Sequence, residues 1–245
     1  MAKPTKAELK EQRKSEWQMK AEKQERDAKV RKYGIWAAIL VGFLIFLGLL
    51  VWLTSSPSST SSNITIAPVT SNDVSTGPAS SKTVLIEYGD FQCPSCKAFH
   101  DQILKALVPA YKDRVKFVWR FFPLTNIHQN ALIAAQAAYS AQLQGKFWQM
   151  DDELFDNQGE WATLSDADAR NKFNEYAAAL GMDVNKFKKD IDSDAVKKFV
   201  FSEQNEGLNA GVNATPTFFL NGKQVSPQSY SDFQKLLDAS LKNSK

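Results

Sequence analysis

The sequence predicts a membrane-anchored α/β domain in which strands at both ends enclose a long helical segment. Three observations predict it. A strand–helix–strand pattern runs from residue 83 to 121, a helical pattern from about 126 to 211 is followed by further strands, and an uncharged apolar run precedes the domain. With 43% hydrophobic residues and 16 Phe, the chain has enough apolar surface for a packed core.

The apolar run extends from Gly34 to Leu53 and contains no charged residue. At about 1.5 Å per residue, a helix of this length spans the roughly 30 Å hydrocarbon core of a bilayer. A buried core helix is rarely apolar on every face. A cleaved signal peptide usually has a shorter apolar region and a small-residue cleavage site, which is absent after Leu53. We therefore predict an uncleaved, single-pass transmembrane anchor at residues 34–53.

Charge predicts the orientation of this anchor. Residues 1–33 contain 11 Lys/Arg against 6 Asp/Glu, whereas residues 54–81 contain one acid and no Lys or Arg. Positive segments stay inside, so we expect a basic cytoplasmic tail at 1–33 and an extracytoplasmic domain at the cell membrane. Residues 83–245 contain 18 Lys/Arg and 20 Asp/Glu. This balance gives no indication of nucleic-acid binding.

A segment rich in Ser, Thr and Pro follows the anchor. Residues 54–82 have few large side chains, and such a composition cannot bury enough apolar surface to fold. We expect a disordered linker there and a folded domain from Thr83 to Lys245.

The elements of this domain have local sequence signals. The run TVLIEYGD predicts a buried strand, CPSCKAFHDQILKALVPAY a helix with Pro94 in its first turn, and RVKFVWRFFP a second, parallel strand. In the helical insertion, about 126–211, Ser165 and Asp183 are candidate N-caps and Gly181 a candidate C-cap. After it, Asn221-Gly222 favours a two-residue hairpin, and a final helix closes the chain.

The two cysteines of the chain, Cys93 and Cys96, lie at the junction between the first strand and the following helix. The unpaired N–H groups of a helix start stabilise a nearby anion, so a thiolate is favoured at Cys93, just before the helix. Cys96, in the first turn, is expected to be more buried. Dithiol exchange needs two cysteines that differ in thiolate stability and exposure, because one sulfur attacks a partner and the other resolves the mixed disulfide.

Two other interpretations of the cysteines remain open. With His100 and His128 they come close to a C-x2-C-x3-H zinc pattern, although a large core and a helix starting at Pro94 favour a redox turn. A purely structural disulfide around two residues would constrain the unfolded chain very little. Redox chemistry explains the pattern best, and we predict no metal site.

A wider set of motifs resembles the DsbA-like thiol:disulfide oxidoreductases, thioredoxin-fold proteins with a helical insertion. The resemblance rests on VLIEYGDFQCPSCKAFH, FVWRFFPL, GKFWQM and GVNATPTFFLNGK, and it covers about residues 83–245. It implies that Cys93 is the nucleophile and Cys96 the resolving cysteine. It also implies that Pro216, preceded by Thr215, is the proline whose loop faces the active site.

The resemblance extends to other candidate residues. Glu87 matches an acid beneath the motif that could exchange protons with Cys96, and a solvated strand end is the alternative interpretation. Between the cysteines, Pro94 and Ser95 would meet substrate, and Ser95 replaces the histidine of the best-known members. We expect His100 on a helix surface and a structural role for His128.

The resemblance implies an extracytoplasmic oxidase that forms disulfides in exported proteins with free thiols. A membrane quinone-linked partner would re-oxidise it, and no cofactor motif is present in the chain. Two alternatives remain. One is a reductase or isomerase with the same cysteines, and the other is a non-catalytic holdase or adaptor for unfolded exported chains.

Overall fold

A computed structural model describes residues 66–243 together with Arg26, Gly42, Phe43 and Phe46. Apart from these four positions, the predicted tail (1–33), anchor (34–53) and first part of the linker lie outside the described residues. Within the described part of the chain, no helix is both long and apolar enough to cross a bilayer. The fold below is that of the unit Ser62–Lys245.

A five-stranded mixed sheet forms the centre of this unit, in the order β1-β3-β2-β4-β5. The central strands β2 and β3 are parallel, as the sequence predicts, and the other pairs are antiparallel. The strands are β1 (Val74–Thr76), β2 (Val84–Gly89), β3 (Lys116–Phe121), β4 (Thr217–Leu220) and β5 (Lys223–Val225).

The connection between β2 and β3 is helical but not one regular helix. It consists of α1 (Pro94–Phe99), a π-helical turn (His100–Leu104) and α2 (Lys105–Tyr111). Such π turns occur often at functional sites. The turn and α2 cover one face of the sheet together with the last helix, α9 (Tyr230–Asn243). Their shared core includes Leu107, Phe218 and Phe233.

The insertion is helical, as predicted. Its helices are α3 (Ala131–Gln142), α4 (Phe147–Asp156), α5 (Gln158–Trp161), α6 (Asp166–Ala179), α7 (Val184–Ile191) and α8 (Asp194–Asn209). The predicted caps are present. The side chain of Ser165 accepts from the Asp168 N–H, that of Asp183 accepts from the Lys186 N–H, and Gly181 has a φ of +70° after α6. The core of the insertion is continuous with Cys93 and Cys96.

The predicted disorder of the linker is wrong for its last part, because residues 66–82 belong to the domain. Val74 is fully buried, and β1 pairs with β3. The buried Arg120 guanidinium explains this pairing. Its Nε donates to Asp73 Oδ1 at 2.7 Å, its Nη1 to the Tyr88 hydroxyl at 3.0 Å and its Nη2 to the Pro68 carbonyl at 3.2 Å. The Arg120 guanidinium on β3 thus binds the polar segment 66–82, which has few apolar side chains of its own.

The hairpin between β4 and β5 follows the Asn-Gly signal. Asn221 and Gly222 have φ values of 50° and 81°, as a tight two-residue turn requires. The Asn221 side chain also accepts a 2.8 Å hydrogen bond from the Val84 N–H, which fixes the hairpin to β2. Because β4 runs antiparallel to β2, with Thr217 opposite Tyr88, the loop before β4 lies beside the end of β2 that leads to the cysteines.

Candidate active site

The cysteine pair lies where β2 ends and α1 begins. Cys93 is the N-cap residue, with extended backbone, and Pro94 takes the first helical position. Cys93 is 6% exposed and Cys96 is fully buried, while Pro94 and Ser95 are exposed. Both cysteines are free thiols, so the structure corresponds to the dithiol state.

The two thiols have opposite shifts of pKa. A hydrogen bond from Cys96 lowers the pKa of Cys93 from 9.0 to about 5. The Thr215 side chain and the Ser95 and Cys96 N–H groups act in the same direction, while burial opposes them. Burial, followed by the neighbouring Cys93 sulfur, raises the pKa of Cys96 well above its ordinary value. At neutral pH the pair therefore holds one thiolate and one thiol.

The loop before β4 faces this pair. The Cys93 Sγ lies 3.4 Å from the Thr215 carbonyl oxygen, and the Thr215–Pro216 peptide is cis. The Thr215 side chain is buried, and its hydroxyl stabilises the Cys93 thiolate. The Thr217 hydroxyl donates to the Ala214 carbonyl at 2.8 Å and so closes the loop. The loop of Thr215 and Pro216 thus meets the pair of Cys93 and Cys96, although the two segments are far apart in sequence.

Glu87 is buried on β2, so the alternative interpretation of a solvated strand end is wrong. It is 8% exposed, and its Oε1 has no hydrogen-bond partner. Burial, and next the charge of Asp151, raises the pKa of Glu87 to about 8. Glu87 also lines a cavity of about 470 Å³ whose walls include Trp119, Trp148 and Phe155. The carboxyl group is coupled electrostatically to both cysteines.

His100 is buried as well, which corrects the prediction of a surface histidine. It lies in the π turn, where Asp151 and Asp152 of α4 face its Nε2 and Asp101 faces its Nδ1. Burial lowers the pKa of His100, but the hydrogen bonds to Asp151 and Asp152 outweigh it and raise that pKa to about 10. The sequence could not predict this environment, because Asp152 on α4 is 52 residues away from His100.

His128 fits the structural role expected of it. Its Nδ1 lies 2.6 Å from the buried Asp90 Oδ2, which also accepts from the Leu124 N–H at 3.0 Å. Since His100 and His128 are engaged at separate carboxylates, they do not converge on the cysteines. Among the described residues, no group of metal-ligating side chains includes Cys93 or Cys96. The C-x2-C-x3-H interpretation therefore has no geometric support.

The insertion contributes a residue that the sequence did not single out. Gln158 of α5 is buried, and its Nε2 donates to the Phe91 carbonyl at 2.7 Å and to the Cys93 carbonyl at 3.2 Å. These hydrogen bonds hold the backbone of the segment that carries the Cys93 side chain. A glutamine in a helical segment carries no motif, so only the fold reveals this contact.

Residues 69–239, more than half of the chain, match the thioredoxin family. The chain belongs to this family. The match begins before β1, in agreement with the structure and earlier than the boundary predicted at Thr83.

Solved structures share the fold, including its helical insertion. Wolbachia pipientis alpha-DsbA1 has a TM-score of 0.64 at 19% identity, over 72% of this chain and 94% of that one. BdbD from Bacillus subtilis, in its oxidised form, has a TM-score of 0.64 at 20% identity, over 73% of this chain and 97% of that one. At such identities the likeness concerns the fold, an α/β thioredoxin-like domain.

Curated relatives with higher sequence identity are named as Na(+)/H(+) antiporters. The Na(+)/H(+) antiporter NhaA 1 of Mycolicibacterium vanbaalenii is 39% identical over 143 residues, which are 57% of this chain and 22% of the antiporter. The protein of the same name from Salinispora arenicola is 36% identical over 149 residues, 60% of this chain and 21% of that protein. The chain thus spans about a fifth of the length of these relatives.

Proposed function

We propose that this protein is a thiol:disulfide oxidoreductase of the DsbA-like type, and that it acts as an oxidase on exported proteins. The observation that carries the proposal is the contrast between the Cys93 and Cys96 thiols. One is a stabilised thiolate that faces the Thr215–Pro216 loop, and the other is a buried thiol with a raised pKa. Nucleophile and resolving group are thereby distinguished.

In the oxidising direction the enzyme starts as the Cys93–Cys96 disulfide. A substrate thiolate attacks the Cys93 sulfur, and Cys96 leaves as a thiolate that takes up a proton. A second substrate thiolate then attacks the substrate sulfur of the mixed disulfide and releases Cys93 as a thiolate. The substrate loses two electrons and two protons. The enzyme keeps both electrons and one proton, and the other proton enters the solvent.

Glu87 would serve the proton transfer at Cys96. In its protonated form it can donate to the leaving Cys96 thiolate, and a carboxyl group with a pKa of about 8 regains its proton readily near neutral pH. The cavity beside Glu87 is large enough to hold water. The Pro94-Ser95 dipeptide and the Thr215–Pro216 loop would bind the substrate chain on either side of Cys93.

A tethered domain outside the cytoplasm suits this activity. Residues 34–53 would anchor the protein with its N-terminus in the cytoplasm, and the domain would meet exported chains. Return to the disulfide requires an acceptor of two electrons. We propose a membrane partner linked to quinone, which the anchor would keep close. No bound cofactor is part of the proposal.

The assigned roles are tested by trapping. In Cys96→Ala the mixed disulfide at Cys93 cannot be resolved, so we expect covalent complexes with exported thiol proteins on non-reducing gels. Cys93→Ala, the matched control, should trap few. Equal trapping by both variants would contradict the roles, and trapping by neither would favour the holdase alternative. Disulfide formation in a reduced, unfolded secreted protein then separates an oxidase from a reductase or isomerase.

A further inference from the structure

A cluster of three side chains on the wall of the Glu87 cavity is not explained by thiol chemistry. It consists of His100 from the π turn and of Asp151 and Asp152 from α4. Asp151 is buried and Asp152 is exposed, so the cluster leads from the interior to solvent. Its ligand-type atoms all lie within 4.8 Å of one another.

The spacing of these atoms is that of a metal site. The His100 Nε2 lies 3.3 Å from Asp151 Oδ2 and 3.2 Å from Asp152 Oδ1. Zinc binds nitrogen and oxygen ligands at about 2.0–2.1 Å, and in a tetrahedron such ligands are about 3.3 Å apart. The distances from the His100 Nε2 to the two carboxylate oxygens are therefore compatible with a cation bound between them. One imidazole and two carboxylates are a ligand set suited to Zn²⁺ rather than Mg²⁺ or Ca²⁺.

The outer contacts of His100 are also those of a metal ligand. Its Nδ1 faces Asp101 Oδ1 at 3.1 Å, and Asp101 in turn accepts from Lys97 at 2.8 Å. Histidines that bind metals usually donate their other N–H to a carboxylate, which fixes the ring and leaves the second nitrogen for the ion. The ring of Phe155 packs against the imidazole with centroids 4.7 Å apart.

An independent observation points to a ligand at this place. Glu87 lines the same cavity and is more than nine-tenths buried, yet its Oε1 has no hydrogen-bond partner. A buried carboxyl group without a partner costs free energy, and a nearby cation would offset this cost. The cavity of about 470 Å³ leaves room for water or a small ligand at a fourth position.

We propose that His100, Asp151 and Asp152 bind a divalent cation of the zinc class, with Asp101 as the residue that orients His100. The ion takes the place of the proton on the His100 Nε2, and that proton is released. No electron is transferred. The site uses neither cysteine as a ligand, and binding of the ion does not depend on the proposed oxidase activity.

The test uses the full chain with Cys93→Ala and Cys96→Ala, so that no thiol can bind the metal. We expect one equivalent of Zn²⁺ by calorimetry, and Co²⁺ should give the visible absorption of a four-coordinate site. His100→Gln or Asp152→Asn should weaken binding at least about 100-fold. Asp101→Asn should weaken it about 10- to 100-fold, as is usual for a partner of a metal ligand.

Two controls make the result specific. Glu153→Gln changes another carboxylate on α4 and should leave the affinity unchanged. Asp156→Asn tests the alternative group of His100, Asp101 and Asp156, in which Asp156 pairs with Lys105. Asp152 is exposed, so Asp152→Asn should fold even if His100→Gln does not. The proposal is overturned if the chain takes up no Zn²⁺ at millimolar concentration, or if Asp152→Asn binds it as tightly as the parent.

Discussion

Cys93 and Cys96 are three residues apart, but their surroundings differ in how well they stabilise a thiolate, and this difference affects the redox potential. A thiolate at Cys93 exists only in the dithiol form, because the disulfide has no ionisable sulfur. Whatever stabilises this thiolate therefore stabilises the reduced protein relative to the oxidised one. The loop closed by the disulfide is too short for chain entropy to compensate.

This contrast predicts that the reduced protein melts at a higher temperature than the oxidised one at pH 7. A pKa lowered from 9.0 to about 5 stabilises the fold fully above pH 9, and the effect is lost as pH falls through 5. At pH 7 the part of the shift between pH 5 and pH 7, about two units, stabilises the reduced form by about 3 kcal/mol. This free energy raises the reduction potential by roughly 60 mV, which makes the protein more oxidising. Thermal unfolding of both forms between pH 4 and 8 checks this. An oxidised form that melts higher at pH 7 would favour the reductase.

Glu87 predicts a second pH dependence, of opposite sign. The unfolded chain loses the Glu87 proton near pH 4.5, whereas the folded chain keeps it to about pH 8. Between these values the contribution of Glu87 to the free energy of unfolding falls as pH rises, by about 1.4 kcal/mol per pH unit. Glu87→Gln should remove this pH dependence. The free energy of unfolding of the variant should therefore exceed that of the natural chain by an amount that grows from pH 4.5 to 8.

The Glu87 measurement needs EDTA, because a bound cation would lower the pKa of the carboxyl group. Glu153→Gln is the matched control and should run parallel to the natural chain. Parallel curves for Glu87→Gln would show that Glu87 is ionised like an ordinary surface acid. The sequence could identify Glu87 from its place before the cysteines. It could not show the burial, because α4, which brings Asp151 near, is over 60 residues away.

Elements with a local signal were predictable. Ser165, Asp183 and the Asn221-Gly222 turn act through hydrogen bonds and backbone angles within a few residues, so the sequence suffices to find them. The strand β1 and the π turn were missed for the opposite reason. β1 depends on Arg120, 47 residues from Asp73, and the π turn leaves no recognised mark in the apolar spacing.

The strand β1 gives a prediction at the level of elements. Asp73→Asn removes the nearest counter-charge of the Arg120 guanidinium, which is 1% exposed, while the partly exposed Glu206 stays 4.0 Å away. Breaking a buried ion pair from one side typically costs about 3–5 kcal/mol, and we expect a loss of this size in urea unfolding. Asp166→Asn breaks the pair with Arg170, in which Asp166 is 62% exposed, and should cost below about 1 kcal/mol. Equal effects of the two changes would show that β1 is not held by charge.

At the scale of the whole molecule, the prediction concerns the anchor at residues 34–53. If the anchor has the proposed orientation, with the basic tail in the cytoplasm, protease added outside intact cells should remove the folded domain and leave a small N-terminal fragment in the membrane. Fragments are detected with a tag at each end of the chain. A mature protein that begins near Ser55 would instead identify the apolar run as a signal peptide.

The sheet ends on both sides in a strand of three residues, β1 and β5. Longer edge strands expose rows of unpaired N–H and C=O groups, onto which other extended chains can add and begin to aggregate. On β5 the charged side chain of Lys223 is exposed, which discourages such addition further. Under the proposed function the protein would meet many extended partners, the unfolded chains of exported proteins. Its short edges would let it release each of them without becoming the seed of a shared β-sheet.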